Sequence, residues 1–239
     1  MKAILWDMDG SLINTEPLWE IATYDVSEFV GRRLTPQLRA QCVGNTLWNT
    51  LSICAAHAGR TLDDDLFASA SNFLESRFTE LVEAHGVQWR PGVPEILAET
   101  KDAGIPVVLV TNTRRHVAAP CIAAMGEHHF ASTVCSDEVE RGKPEPDPYL
   151  RGAELAGVAP EDCLAIEDSP TGVRAALSAG CTTIWNPMPE VHVPADEVSR
   201  LVPPARFISG NFDTANLGLL RAAFAGEEAT WNNRPSEEL

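Results

Sequence analysis

The sequence predicts an α/β fold in which a parallel sheet is wrapped by crossover helices and a separate helical domain is inserted near its start. Three observations predict it. From residue 89 onward, short apolar runs alternate with segments of helical periodicity, as strands joined by crossovers do. Residues 16–84 carry helical periodicity with almost no strand signal. The first strand candidate, KAILW at 2–6, stands ahead of that helical block and belongs with the later sheet. The expected partition is therefore a core made of 1–15 and 88–239, with 16–87 inserted between its two pieces.

The elements follow in order. KAILW is bounded by Asp7 and Gly10. The helical block comprises EPLWEIATYDVSEFVGRR, TPQLRAQCVGNTLWNTLSICAAHAG and DDDLFASASNFLESRFTELVEAH. Thr35-Pro36 supplies a cap followed by proline at the first helical position, and Asp63 to Asp65 favour another helix start. RPGVPEILAETKDAG is a turn and a helix ending at Gly104, IPVVLVTNT a strand, and RRHVAAPCIAAMG a helix. FASTVCSD is a strand, DPYLRGAELAGV a helix, DCLAIEDSP a strand, TGVRAALSAG a helix and CTTIWNP a strand. FIS at 207–209 is a candidate last strand, followed by a helix over ANLGLLRAAFAG with Asp213 or Thr214 as its cap. The polar tail EEATWNNRPSEEL is expected to fray.

Composition narrows the function. Hydrophobic residues make up 44% and charged residues 22%, which suits a soluble globular chain. A formal net charge of -16 disfavours a nucleic-acid interface or an anionic membrane surface. It leaves room for a small anion, because a metal or a few local cations reverse the field inside one pocket. The six cysteines form no CxxC and sit among apolar or small residues, so reduced thiols and a cytoplasmic location are expected. The start MKAILWDMDG is too short and too quickly acidic for a signal peptide, and no apolar run approaches the length of a spanning helix.

In an open parallel sheet, ligands bind beyond the carboxyl ends of the strands. Four polar clusters fall there: Asp7-Met8-Asp9, Thr111-Asn112-Thr113, Ser136-Asp137 and Glu167-Asp168-Ser169, with Lys143 in the loop ERGKPEPDP. Asp7, Glu167 and Asp168 are hard oxygen ligands suited to Mg2+, and three acids with a single lysine make a metal-free site costly. Thr111 offers a hydroxyl, Asn112 and the next turn offer N–H groups, and Lys143 a compact positive charge. These are the parts of a phosphoryl-transfer site. A stiffly held carboxylate, Asp7, suits the nucleophile, and Asp9 beside Gly10 suits the acid and base.

DMDGSLINTEP, TNT, GKPEPDPY and AIEDSPTG resemble the four motifs of the haloacid dehalogenase superfamily, in the branch holding beta-phosphoglucomutase and sugar-phosphate phosphatases. The resemblance covers nearly the whole chain and implies a Rossmann-like core with a helical cap. It also implies Asp7 as nucleophile and Asp9 as acid/base whose backbone carbonyl ligates Mg2+. Thr111 and Lys143 match the second and third motifs, and Glu167 and Asp168 the acidic pair, with Asp168 the surer ligand. Aspartate at the second position disfavours the dehalogenase and phosphonatase branches.

The expected activity is Mg2+-dependent hydrolysis of a small phosphomonoester through an aspartyl-phosphate. The first alternative is a phosphosugar mutase. Beta-phosphoglucomutases carry an arginine a few residues after the cap glycine, where this chain, VGNTLWNTL, has Leu47 or Trp48; Arg32 and Arg33 are possible substitutes. The second alternative, a silent regulatory domain, conflicts with retention of every motif residue. Gly10, Glu16, Asn45, Thr46, Trp48, Asn112 and Arg115 are candidate substrate contacts. Trp19 and Trp48 also fit an amphipathic-helix core, Asn45 and Thr46 a turn or helix cap, and Arg115 a solvated helix start. His116, His128 and His129 lack a third ligand at zinc spacing. Hexose, pentose and polyol phosphates, nucleotide monophosphates and phosphoglycolate all remain as substrates, with a monomer or weak homodimer expected.

Overall fold

The computed structural model describes residues 1–43, 46–191 and 193–227. Its strands are β1 (Ala3–Trp6), β2 (Ile13–Asn14), β3 (Gln88–Trp89), β4 (Val107–Val110), β5 (Ser132–Val134), β6 (Cys163–Glu167) and β7 (Thr182–Trp185). The α-helices are α1 (Glu16–Val30), α2 (Pro36–Ala40), α3 (Leu47–His57), α4 (Asp64–His85), α5 (Val93–Asp102), α6 (Arg115–Met125), α7 (Asp147–Ala156), α8 (Pro170–Ser178), α9 (Ala195–Leu201) and α10 (Leu217–Ala225). The chain divides into two compact units, one made of Met1–Asn14, Gln88–Ala118 and Met125–Leu239, the other of Thr15–Val87 and Ala119–Ala124.

The first unit is built on a five-stranded sheet in the order β5-β4-β1-β6-β7, with every pairing parallel. β1, β4 and β6 are buried along their whole lengths, which is why their sequences are continuous apolar runs rather than alternating ones. One face of the core gathers Leu5, Val108, Val110, Val134, Ala165 and Tyr149 among small residues of α7 and α8. β1 lies at the centre, so the chain leaves it toward β4 on one side and β6 on the other. That change of direction opens a crevice at the strand ends. β2 and β3 form a separate antiparallel pair, Ile13 opposite Trp89 and Asn14 opposite Gln88.

In the second unit, α1 packs along α4. Trp19 stacks on Phe78 at 3.8 Å between ring centroids and Phe29 on Phe73 at 4.6 Å, while Arg77 donates to Asp25 at 2.7 Å. The helix starts follow capping chemistry. Thr35, Thr46 and Asp63 accept from the backbone N–H of Leu38, Asn49 and Leu66.

Some expectations need correction. FIS is reduced to an isolated bridge between Trp185 and Phe207, and α10 is capped by Asn216, which accepts from Leu219 N, rather than by Asp213 or Thr214. The pair β2–β3 and the helix α9 were not foreseen. Two-residue strands are too short to show a period, and α9 lies in a polar, proline-bounded segment. All six cysteines are free and buried, and no helix among the described residues is long and apolar enough to cross a membrane.

Candidate active site

Register brings the polar clusters together. Trp6, the last residue of β1, is level with Leu109 of β4 and Ile166 of β6. The next residue, Asp7, donates its N–H to the Ile166 carbonyl at 3.0 Å and lies between the ends of both neighbours. Thr111 follows β4 and Glu167 ends β6, so the crevice collects one polar residue from each strand. Asp7, Thr111, Lys143 and Glu167 are all buried there.

Lys143 holds the acids. Its Nζ donates to Asp7 Oδ1 and Glu167 Oε1, each at 2.5 Å, and to the Val110 carbonyl at 2.9 Å. These three bonds use all three ammonium donors. Burial pushes the Lys143 ammonium down, but the Asp7 and Glu167 carboxylates outweigh it and hold its pKa above the ordinary value. Glu167 is saturated as well. Oε1 also accepts from Tyr149 Oη at 2.6 Å, and Oε2 from Asp168 N, Ser169 N and Ser169 Oγ at 3.2–3.4 Å. Burial, then the Glu167 and Asp7 charges, raise the Tyr149 phenol well above its usual pKa, so it stays a donor.

Asp9 is positioned from β4. Its Oδ2 accepts from Thr113 Oγ1 at 2.8 Å and, more weakly, from Thr111 Oγ1 at 3.4 Å, and Thr113 N donates to Thr111 Oγ1. Asn112 turns to a different task. Its amide grips the Lys143 peptide from both sides, Nδ2 donating to the carbonyl at 3.1 Å and Oδ1 accepting from the N–H at 2.8 Å.

The acidic cluster fits a hard cation. One oxygen each from Asp7, Glu167 and Asp168 lie within 4.8 Å of one another, and the buried Oδ2 of Asp7 has no hydrogen-bond partner. Burial raises the Asp7 pKa well above its ordinary value, the Glu167 charge adding to it against the pull of Lys143. Burial and the Glu167 charge push Asp168 up to about 8. A cluster that strains against its own negative charge with one orphaned carboxylate oxygen is what a divalent cation relieves. Gly10 makes room beside it. Its φ of +80° is a left-handed conformation, and a Cβ there would overlap Asp168 Oδ2.

The model of the haloacid dehalogenase-like hydrolase family matches residues 1–180. This chain belongs to that family. Hexitol phosphatase A of Escherichia coli strain K12 is 34% identical over 82% of this chain and 85% of its own. The phosphorylated carbohydrates phosphatase of Thermotoga maritima is 33% identical over 77% of this chain and 84% of its own. Among solved structures, a variant of CbbY from Rhodobacter sphaeroides in complex with xylulose-(1,5)-bisphosphate superposes with a TM-score of 0.76 at 25% identity, covering 92% of this chain and 99% of that one. The chain is thus a hydrolase of a family whose members include hexitol and carbohydrate phosphatases.

Within this haloacid dehalogenase-like frame, the remaining described candidates each have a partner within the protein. Glu16 is paired with buried Arg39 at 2.6 Å. Thr46 caps α3, and Trp48 is 48% exposed, tilted against Phe67 rather than buried in a helical core. Asn45 lies outside the described residues. Arg115 forks onto both oxygens of Glu138 at 2.8 Å and reaches the Thr133 carbonyl, so contact with a substrate would require it to leave that pair. Sequence reasoning singled out no role for Thr113, Ser169 or Tyr149, though all three lie inside the quoted motifs TNT, EDSP and DPY. Arg90 was missed outright; its only signal is a lone cation in front of Pro91-Gly92.

Proposed function

We propose that this chain is a Mg2+-dependent phosphomonoester hydrolase acting on a small phosphorylated sugar or polyol through an aspartyl-phosphate on Asp7. The observation that carries the reading is the asymmetry of the Asp7 carboxylate. One oxygen is held by Lys143 and the other is buried with no partner, beside a second acid, Asp9, fixed by two hydroxyls. The carbohydrate part of the reading is supported by the hexitol and carbohydrate phosphatases among its relatives.

Asp7 attacks phosphorus, and the bond to the substrate alkoxide breaks as Asp9 delivers a proton to the leaving oxygen. Asp9, now a carboxylate, takes a proton from water as that water attacks the phospho-aspartate. The acyl-phosphate bond then breaks, releasing phosphate and restoring both acids. Lys143 aims Asp7 and favours its ionised form against the pull of burial and Glu167, and Asn112 keeps the Lys143 backbone in place. Mg2+, held by Asp7, Asp168 and the Asp9 backbone carbonyl, would supply positive charge to the phosphoryl oxygens. Glu167, whose oxygens are taken up by Lys143, Tyr149 and the Ser169 turn, acts as the brace behind those ligands.

The test is phosphate release from a panel of sugar, polyol and glycolate phosphomonoesters, with and without Mg2+, using Asp7→Asn as blank. Wild type is expected to turn over in Mg2+ alone of the two conditions, and Asp7→Asn to fold and release nothing detectable. Unchanged turnover in purified Asp7→Asn ends the nucleophile assignment. Interconversion of beta-glucose 1-phosphate without net phosphate release would move the reading to a mutase.

A further inference from the structure

Arg90 follows β3 and is 1% exposed. Its guanidinium carries four hydrogen bonds, all to main-chain carbonyls. Nη1 donates to Gly10 at 2.8 Å and Asn186 at 2.9 Å, and Nη2 to Gly210 at 2.9 Å and Pro187 at 3.3 Å. Burying a cation is costly, and carbonyl dipoles offset that cost only in part. Burial accordingly lowers its pKa, while the charges of Asp168 and Glu190 pull the other way. A buried cation bonded only to carbonyls leaves its charge to act through space, here toward the acidic crevice.

The bonded carbonyls are not arbitrary. Gly10 follows Asp9, and it is pinned on both sides, its N–H donating to the Ile13 carbonyl at 2.8 Å and its C=O accepting from Arg90. Asn186 donates its N–H to the Glu167 carbonyl at 2.7 Å while its own C=O accepts from Arg90. One side chain therefore joins the loop carrying Asp7 and Asp9 to the peptide beside Glu167. The Arg90 N–H also donates to the Leu12 carbonyl at 2.9 Å, so the same residue closes the base of the β2–β3 pair.

We propose that Arg90 is a positioning residue for the acidic site: by clamping the Gly10 and Asn186 carbonyls it sets the Asp7–Gly10 loop in the arrangement that binds Mg2+ and transfers the phosphoryl group. The inference rests on the Mg2+-phosphatase reading above. It gives the acidic crevice a second buried cation besides Lys143.

Two variants separate positioning from mere packing. Arg90→Met removes the charge and every donor. Arg90→Lys keeps the charge and reaches fewer carbonyls, and it decides the matter if the methionine variant fails to fold. Each is titrated with Mg2+ alone by calorimetry, and kcat and KM are measured separately on the best phosphomonoester. Loss of a group that orients ligands is expected to weaken Mg2+ binding and to lower kcat by about 10–100-fold, with KM nearly unchanged and partial recovery in Arg90→Lys. Folded variants that melt lower yet bind Mg2+ and turn over like wild type would reduce Arg90 to structural glue. Asp7→Asn run in parallel keeps the two ideas apart. An active Asp7→Asn overturns the phosphatase reading, whereas an inactive one beside normal Arg90 variants overturns this inference alone.

Discussion

Gly172→Ala offers a sharp test of the Glu167 brace. Gly172 sits in α8 with its Cα against the Glu167 carboxyl, and a Cβ added there would overlap Cδ and both oxygens. The methyl group and the carboxylate cannot share that space, so Glu167 must retreat by about 1 Å, well past the separation at which contacts turn repulsive. The retreat breaks the bonds to Lys143 at 2.5 Å and Tyr149 at 2.6 Å. Hydrogen bonds to charged groups contribute about 1.5–3 kcal/mol each. Alanine in place of a helical glycine returns about 0.5–1 kcal/mol. The net destabilisation is about 2–5 kcal/mol, which in a chain of this size lowers Tm by roughly 4–20 °C. Thermal melts followed by circular dichroism measure it. On helix propensity alone the substitution would stabilise, so a Gly172→Ala protein that melts at or above the wild-type temperature would refute the packing argument and with it the role given to Glu167.

Two further outcomes follow from the same geometry. Asp9→Ala keeps the Asp7, Glu167 and Lys143 contacts and should still bind Mg2+, but lose about 10²–10⁴ in turnover; rapid-quench measurement of the phosphoenzyme showing both steps at wild-type rates would contradict its acid/base role. Glu138 is held below the usual carboxylate range, chiefly by its hydrogen bonds from Arg115. A depressed pKa contributes stability that is present above the unfolded-state value, about 4.3, and lost as pH falls through the folded one. The Tm gap between wild type and Glu138→Gln should therefore be open at neutral pH and close in acid. The pair is partly exposed, so the gap corresponds to no more than about 1 kcal/mol, and a gap that widens on acidification would contradict the sign.

The core was legible because its signals are local. KAILW, IPVVLV and CLAIE are apolar runs long enough to be strands, and each ends at the polar residue that later meets the others. Parallel pairing then forces convergence, so Asp7, Thr111 and Glu167 could be grouped without coordinates. The division of labour among them was not legible. Nothing in the sequence says that Asn112 turns away to grip the Lys143 peptide, that Tyr149 in the first turn of α7 reaches Glu167, or that Arg115 is taken up by Glu138. These depend on side-chain reach across distant segments. Arg90 was invisible for a stronger reason. Its partners are carbonyls, which every residue possesses, so no residue type at 10, 186, 187 or 210 announces them. Asn216 displaced Asp213 and Thr214 as the cap of α10 because any of the three side chains can fill that role, and only the path of the backbone chooses.

The antiparallel pair β2–β3 has a consequence for how such a chain tolerates change. Asn14 and Gln88, the last residue before the inserted segment and the first after it, lie directly opposite each other on paired strands. Topologically, everything between them is the tip of a hairpin. Lengthening a loop costs only about 0.6 kcal/mol per doubling. The inserted segment can therefore vary in length at small entropic cost while Asn14 and Gln88 remain paired across its base.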